Sequence, residues 1–169
     1  MRGSPVHAPL TPALSPREGR GRLLRSAAET EALGASLAPL WQRHPGLVLY
    51  LEGVLGAGKT TLTRGLLRAL GVQGSIRSPT YTLLEPYEIQ KRSLLHLDLY
   101  RLNDPRELEQ LGLRDYPPNQ CWWLVEWPEH GAGFLPPPEL RITLTHETGG
   151  RRAVCAGGLA AEVVAPISD

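Results

Sequence analysis

The sequence predicts an α/β fold, a single domain with a mixed, partly parallel sheet flanked by helices. Two observations carry this expectation. The apolar runs Leu47–Leu51, Ser93–Tyr100 and Cys121–Glu126 do not alternate with polar residues, as expected of strands buried on both faces beneath helices. Between the first two lies Thr60–Leu70, which places Leu62, Leu66, Leu67 and Leu70 on one helical face and ends at Gly71.

The other elements follow in chain order. Residues 1–22 contain Pro5, Pro9, Pro12 and Pro16 and no apolar periodicity, so a disordered Pro/Arg-rich extension is expected, with order beginning near Leu23. A basic arm for RNA or a partner is the functional alternative for this segment. Ser26, followed three residues later by Glu29, has capping-box spacing and opens a helix expected to run to about Leu40. Pro45-Gly46 then breaks the chain. Tyr81–Ile89 reads as extended, and Pro105 starts a short helix, Arg106–Leu111, ended by Gly112. Leu140–Thr145 and Arg152–Ala156 form a late hairpin across Gly149-Gly150. A domain over residues 23–160 results, with a tail at 161–169.

Bulk properties narrow the setting. The chain has 169 residues, a length that suits one domain. No apolar run approaches the roughly 20 residues of a membrane span, and no apolar segment near the start resembles a secretory signal. Cys121 and Cys155 are too few for a disulfide framework. A soluble, cytoplasmic protein without membrane attachment is expected. The formal charge of +1 is unevenly spread. Residues 1–25 hold five arginines against Glu18, a net +4, and leave 13 basic and 16 acidic side chains elsewhere, a net −3. A domain that gripped nucleic acid directly would be basic, so contact with RNA is expected only through a partner.

The chemistry begins at Gly53-Val54-Leu55-Gly56-Ala57-Gly58-Lys59-Thr60, a full G-x-x-x-x-G-K-[ST] phosphate-loop pattern between an apolar strand and an amphipathic helix. Glycines let the backbone approach phosphates closely, so that successive N–H groups point at the anion. The helix that follows adds the positive end of its dipole. Lys59 is assigned to the β- and γ-phosphates of ATP, and the Thr60 hydroxyl to Mg²⁺. Gly53, Leu55, Gly56, Ala57, Gly58, Lys59, Thr60 and Thr61 are the candidate nucleotide-binding residues. A glycine-rich turn capping a helix would need neither Lys59 nor Thr60.

Two carboxylates stand at strand ends. Asp98 closes Leu94–Asp98 in the manner of a Walker B strand, and Glu126 closes Trp122–Glu126. Ligands of open α/β sheets bind outside the carboxyl ends of strands, so both acids are expected beside the phosphate loop as Mg²⁺ ligands or water-orienting groups. The alternatives are a surface carboxylate for Asp98 and an arginine salt bridge for Glu126. His96 shares a strand face with Asp98; it either orients that carboxylate or is an ordinary core histidine. Ser78-Pro79-Thr80-Tyr81 offers loop hydroxyls that can reach Mg²⁺ or the γ-phosphate, or it is a plain Ser-Pro turn. Arg64 and Arg101 read as packing or surface charges.

Together these stretches resemble the bacterial TsaE (YjeE-type) ATPase family of tRNA threonylcarbamoyladenosine biosynthesis. The likeness rests on LEGVLGAGKTT (Leu51–Thr61), RSPTYTLLEP (Arg77–Pro86), HLDLYRL (His96–Leu102), DPRELEQLGLRDY (Asp104–Tyr116) and LVEWP (Leu124–Pro128), in that order over residues 23–155. The resemblance implies a single P-loop NTPase-like domain that hydrolyses ATP with Mg²⁺ and works with the TsaB and TsaD proteins. It implies that Thr60 and Glu126 bind Mg²⁺, Asp98 supports hydrolysis and Thr80 belongs to a switch loop. Catalytic roles thereby fall to Lys59, Thr80, Asp98 and Glu126. Trp127 matches a family tryptophan for which stacking and packing are both open. Many family members carry an acid where this chain has Val54, so no water-orienting duty transfers to that position. Two rivals are weighed: a small-molecule kinase, which would need an arginine-bearing lid, and a non-catalytic nucleotide-gated binding module.

Overall fold

The computed structural model describes residues 20–163. The proposed disordered segment therefore lies almost entirely outside the described residues, as do positions 164–169 of the tail. A strand already begins at Arg20, upstream of the expected start of order: β1 (Arg20–Leu24) pairs antiparallel with β7 (Gly150–Ala156). The other strands are β2 (Leu47–Glu52), β3 (Leu84–Ile89), β4 (Arg92–Asp98), β5 (Trp122–Glu126) and β6 (Leu140–Glu147). They form one seven-stranded sheet in the order β1-β7-β6-β2-β5-β4-β3. Its centre, β6-β2-β5-β4, is parallel, and β3, β7 and β1 join antiparallel at the sides. The mixed, partly parallel sheet is as expected.

The central strands are buried on both faces, and their alternation sorts the core into two layers. Leu47, Leu49 and Leu51 of β2 and Trp122 and Leu124 of β5 pack under the helices, whereas Val48, Tyr50, Trp123 and Val125 pack on the opposite face. On the helix side lie α1 (Ala27–Ala35), α2 (Ala38–Arg43) and α3 (Lys59–Ala69), with a last short turn, α4, at Ala160–Val163. The Ser26 cap is confirmed, its Oγ accepting from the Glu29 amide at 3.1 Å. The single helix expected to Leu40 is instead two. Pro39 sits at the start of α2, where its missing N–H is tolerated; inside a continuous helix its ring would clash with the carbonyl four residues back. The segment Pro105–Leu111 forms a 3₁₀ rather than an α-helix, capped by Asp104 in a complete capping box.

Helices α1 and α3 meet through glycines. A Cβ on Gly34 would lie 1.9 Å from the Leu62 carbonyl oxygen, and one on Gly65 would lie 2.0 Å from that of Glu31. Backbone cannot yield as a side-chain tip can. Gly65→Ala is therefore expected to destabilise the domain by about 3 kcal/mol or more, read as a lowered melting temperature.

Candidate functional site

Because β2, β4 and β5 run parallel, their carboxyl ends share one side of the sheet. Gly53–Gly58 follow β2 there, and Asp98 and Glu126 close the neighbouring strands as direct register partners. The three expected features converge on one pocket of about 360 Å³. Leu55, Gly56, Gly58, Lys59, Thr60, Thr61, Thr80, Asp98 and Glu126 all line it. Gly53 and Ala57 do not; their carbonyls accept from Lys59 and Arg151, and the Ala57 methyl belongs to the core. The tight geometry needs glycine at Gly53, where φ is +140° and a Cβ would lie 2.3 Å from the Leu144 carbonyl oxygen.

Lys59 opens α3 and is only 4% exposed. Its ammonium donates to the carbonyls of Gly53 (2.5 Å) and Val54 (3.1 Å) and lies 4.0 Å from the centre of the Trp127 ring. Burial lowers its pKa from the ordinary lysine range, against the opposing pull of the Glu126, Asp98 and Glu129 carboxylates. The cation is thus held inside the cradle by carbonyl dipoles and an indole face.

The two acids have distinct surroundings. The Thr60 hydroxyl donates to Glu126 at 3.2 Å from each carboxylate oxygen. His96 does not orient Asp98. Its Nε2 lies 2.8 Å from Glu126 Oε1, because side chains on one face of adjacent strands also meet diagonally. The Nδ1 of the same ring has no partner among the described residues. Neither acid is the surface group or arginine partner weighed as an alternative: Asp98 is 4% and Glu126 2% exposed.

Asp98 instead gathers the loop before β3. Its Oδ2 accepts from the hydroxyls of Ser78 and Thr80, the latter at 3.0 Å, and its Oδ1 accepts the Tyr100 amide at 3.0 Å. The loop is tied a second time by backbone, with the Asp98 amide donating to the Leu83 carbonyl at 3.0 Å. Ser78-Pro79-Thr80 is therefore more than a plain turn.

Sequence reasoning left one contributor, Trp127, open between stacking and packing and missed another. Trp127 adopts the left-handed conformation with φ +57°, a costly state for a bulky residue and one found at functional sites. This turns its ring over the Lys59 ammonium, with Tyr100 and His130 packed at ring distances of 5.0 and 5.6 Å. Arg151 is the other, donating to the Ala57 carbonyl at 2.7 Å. No motif spans the distance from either end of the loop to it; only the strand order brings it there. Arg64 pairs with Glu31 at 3.3 Å and Arg101 stacks over Tyr81, so both stay outside the pocket.

Oxygen donors dominate the site, which suits a hard divalent cation. Among the described residues no three His, Cys, Asp or Glu side chains form a protein-only metal cage. Thr60 beside Glu126 fits Mg²⁺, which commonly uses one or two carboxylates and completes its shell with water and phosphate.

A parallel strand, a glycine loop, a helix opened by lysine and threonine, and acids ending two adjacent strands define a P-loop NTPase-like α/β protein. The comparisons with known proteins then place it more narrowly. Residues 24–154 match the family described as threonylcarbamoyl adenosine biosynthesis protein TsaE, and the chain belongs to that family. A Haemophilus influenzae protein named tRNA threonylcarbamoyladenosine biosynthesis protein TsaE is 50% identical over 100 residues; the match spans 59% of this chain and 63% of that protein. The Treponema pallidum protein of the same name is 36% identical over 77% of this chain and 94% of its own length. The crystal structure of Bacillus subtilis YdiB superposes with a TM-score of 0.68 at 30% identity, covering 86% of this chain and 91% of that one.

Proposed function

We propose that this protein is an Mg²⁺-dependent ATPase of the cytoplasm, required for threonylcarbamoyl modification of adenosine 37 in tRNA and acting with TsaB and TsaD. The observation that carries the reading is the convergence of Lys59, Thr60, Asp98 and Glu126 on one phosphate-loop pocket. The relatives' names supply the pathway. Contact with tRNA runs through the complex, since residues 26–169 are net acidic.

The chain's own groups divide the work. Backbone amides of the glycine loop and the Lys59 ammonium bind the β- and γ-phosphates and neutralise charge as the terminal bond breaks. Thr60 and Glu126 hold Mg²⁺, which when bound draws charge from the phosphate oxygens. Buried His96 fixes the direction of Glu126. Asp98 orders the Ser78–Thr80 loop and orients the attacking water, with Glu126 as the second acid beside it. Thr80 carries the loop's response to nucleotide.

A kinase or a non-catalytic nucleotide-gated module would share much of this pocket. Within Asp104–Tyr116, Arg106 is tied to the Asp104 carboxylate and neither it nor Arg114 lines the pocket, which speaks against an arginine lid there. Phosphate release with and without the TsaB–TsaD pair tests the coupling. Slow turnover alone and a marked rise with the pair are expected, as finger-type groups supplied in trans are worth about 10³–10⁵-fold; equal rates would remove it. Removing the outer support of Glu126 by His96→Leu is expected to weaken Mg²⁺ dependence about 10- to 100-fold, measured as the Mg²⁺ concentration for half-maximal phosphate release.

A further inference from the structure

The two neighbouring arginines of β7 differ by register. Ala153 and Cys155 face the helix-side core, and the period of two puts Arg151 on the same face. Arg152 points the other way and pairs with Glu147, its Nη2 2.9 Å from Oε1. The backbone of Arg151 is held on both sides, opposite His146 of β6 and Leu24 of β1. Since β6 runs parallel to β2, the hairpin into β7 turns at the cradle's end of the sheet. Arg151 therefore arrives at the phosphate loop on a rigid element.

Three facts distinguish it there. Its Nη1 donates to the Ala57 carbonyl at 2.7 Å, and its side chain lines the pocket that holds Lys59 and Thr60. Among the described residues it forms no ion pair, unlike Arg43, Arg64, Arg106, Arg141 and Arg152. A Cβ on residue 58 would lie 1.9 Å from Nη1, so the loop lacks a side chain where the guanidinium lies. In a trans peptide the carbonyl and the next N–H point in opposite directions. A donor on the Ala57 carbonyl thus sets the direction of the Gly58 N–H, one of the amides on which the phosphate cradle depends.

We propose that Arg151 is a positioning residue for the nucleotide's phosphates, locking the Ala57–Gly58 peptide and adding a positive charge at the cradle's rim. The inference rests on the ATPase reading above and adds to it a binding arginine supplied in cis. Nucleotide affinity is its expected readout, and it should fall further than turnover at saturation.

Calorimetric titration of MgADP into wild type, Arg151→Gln, Arg151→Lys and Arg152→Gln tests it, with melting of the nucleotide-free proteins and steady-state hydrolysis alongside. Arg151→Gln should weaken MgADP binding about 10- to 100-fold, a larger effect than any accompanying fall in kcat. Arg151→Lys keeps the charge without the planar fork and should recover only part of the affinity; Arg152→Gln should bind as wild type. Wild-type affinity in a folded Arg151→Gln overturns the proposal. Should that variant not fold, unchanged affinity in Arg151→Lys overturns it and a loss of about threefold or more supports it. Failure of the wild type itself to bind MgADP sinks the ATPase reading and this inference together, whereas normal wild-type binding with a silent Arg151→Gln sinks this inference alone.

Discussion

Lys59→Ala is expected to reduce ATP turnover by about 10²–10³-fold or more, through loss of both nucleotide binding and transition-state charge stabilisation. The side chain is only 4% exposed, and the pocket's other cation, Arg151, is engaged by the Ala57 carbonyl. Its ammonium is held between the Gly53 and Val54 carbonyls and the Trp127 ring. Burial already disfavours the charged form, and an arriving polyphosphate relieves that penalty by supplying the counter-charge. Lys59→Arg should not rescue. A planar guanidinium cannot occupy a niche shaped for a point charge between two carbonyls and an indole face. Nucleotide titration and phosphate release on the same preparations read both losses.

Asp98→Asn is expected to separate binding from chemistry. Both carboxylate oxygens accept hydrogen bonds, Oδ1 from the Tyr100 amide and Oδ2 from the Ser78 and Thr80 hydroxyls. An asparagine can keep the Tyr100 bond only by turning its NH₂ toward the two hydroxyls. They must then rotate to accept, and the loop loses the acceptor that gathers it. Removal of a water-orienting carboxylate costs about 10²–10⁴-fold in kcat, whereas the phosphate cradle is untouched, so nucleotide affinity should change less than about threefold. A non-catalytic module predicts another outcome: the variant would still support partner assembly and tRNA modification. Threonylcarbamoyladenosine levels in cells carrying only Asp98→Asn distinguish the two.

Much of this architecture could be read from local pattern. The apolar runs around Leu49, Leu95 and Leu124 identified the central strands because burial on both faces leaves no polar alternation. The glycine loop was legible because its chemistry lies within eight consecutive residues. What stayed hidden depended on neighbours distant in sequence. β1 is a five-residue edge strand whose order comes from pairing with β7, and nothing in Arg20–Leu24 announces it. The turn between β3 and β4 places Gln90 and Lys91 at φ +52° and +62°, a hairpin geometry normally signalled by glycine or asparagine and absent from the letters here. The partner of His96 stayed open because same-strand periodicity gives the face but not the diagonal neighbour across strands. Trp127 and Arg151 needed backbone conformation and strand order to find their targets.

On the proposed reading, this pocket grips the phosphate tail of an adenine nucleotide with help from a divalent cation. Titrating ATP, ADP and adenosine into the purified protein, each with Mg²⁺ and again with a chelator, addresses it directly. One site per chain is expected for ATP and ADP, tighter with Mg²⁺, with negligible heat from adenosine. Equal binding of adenosine and ADP, or no binding of any of them, would contradict it.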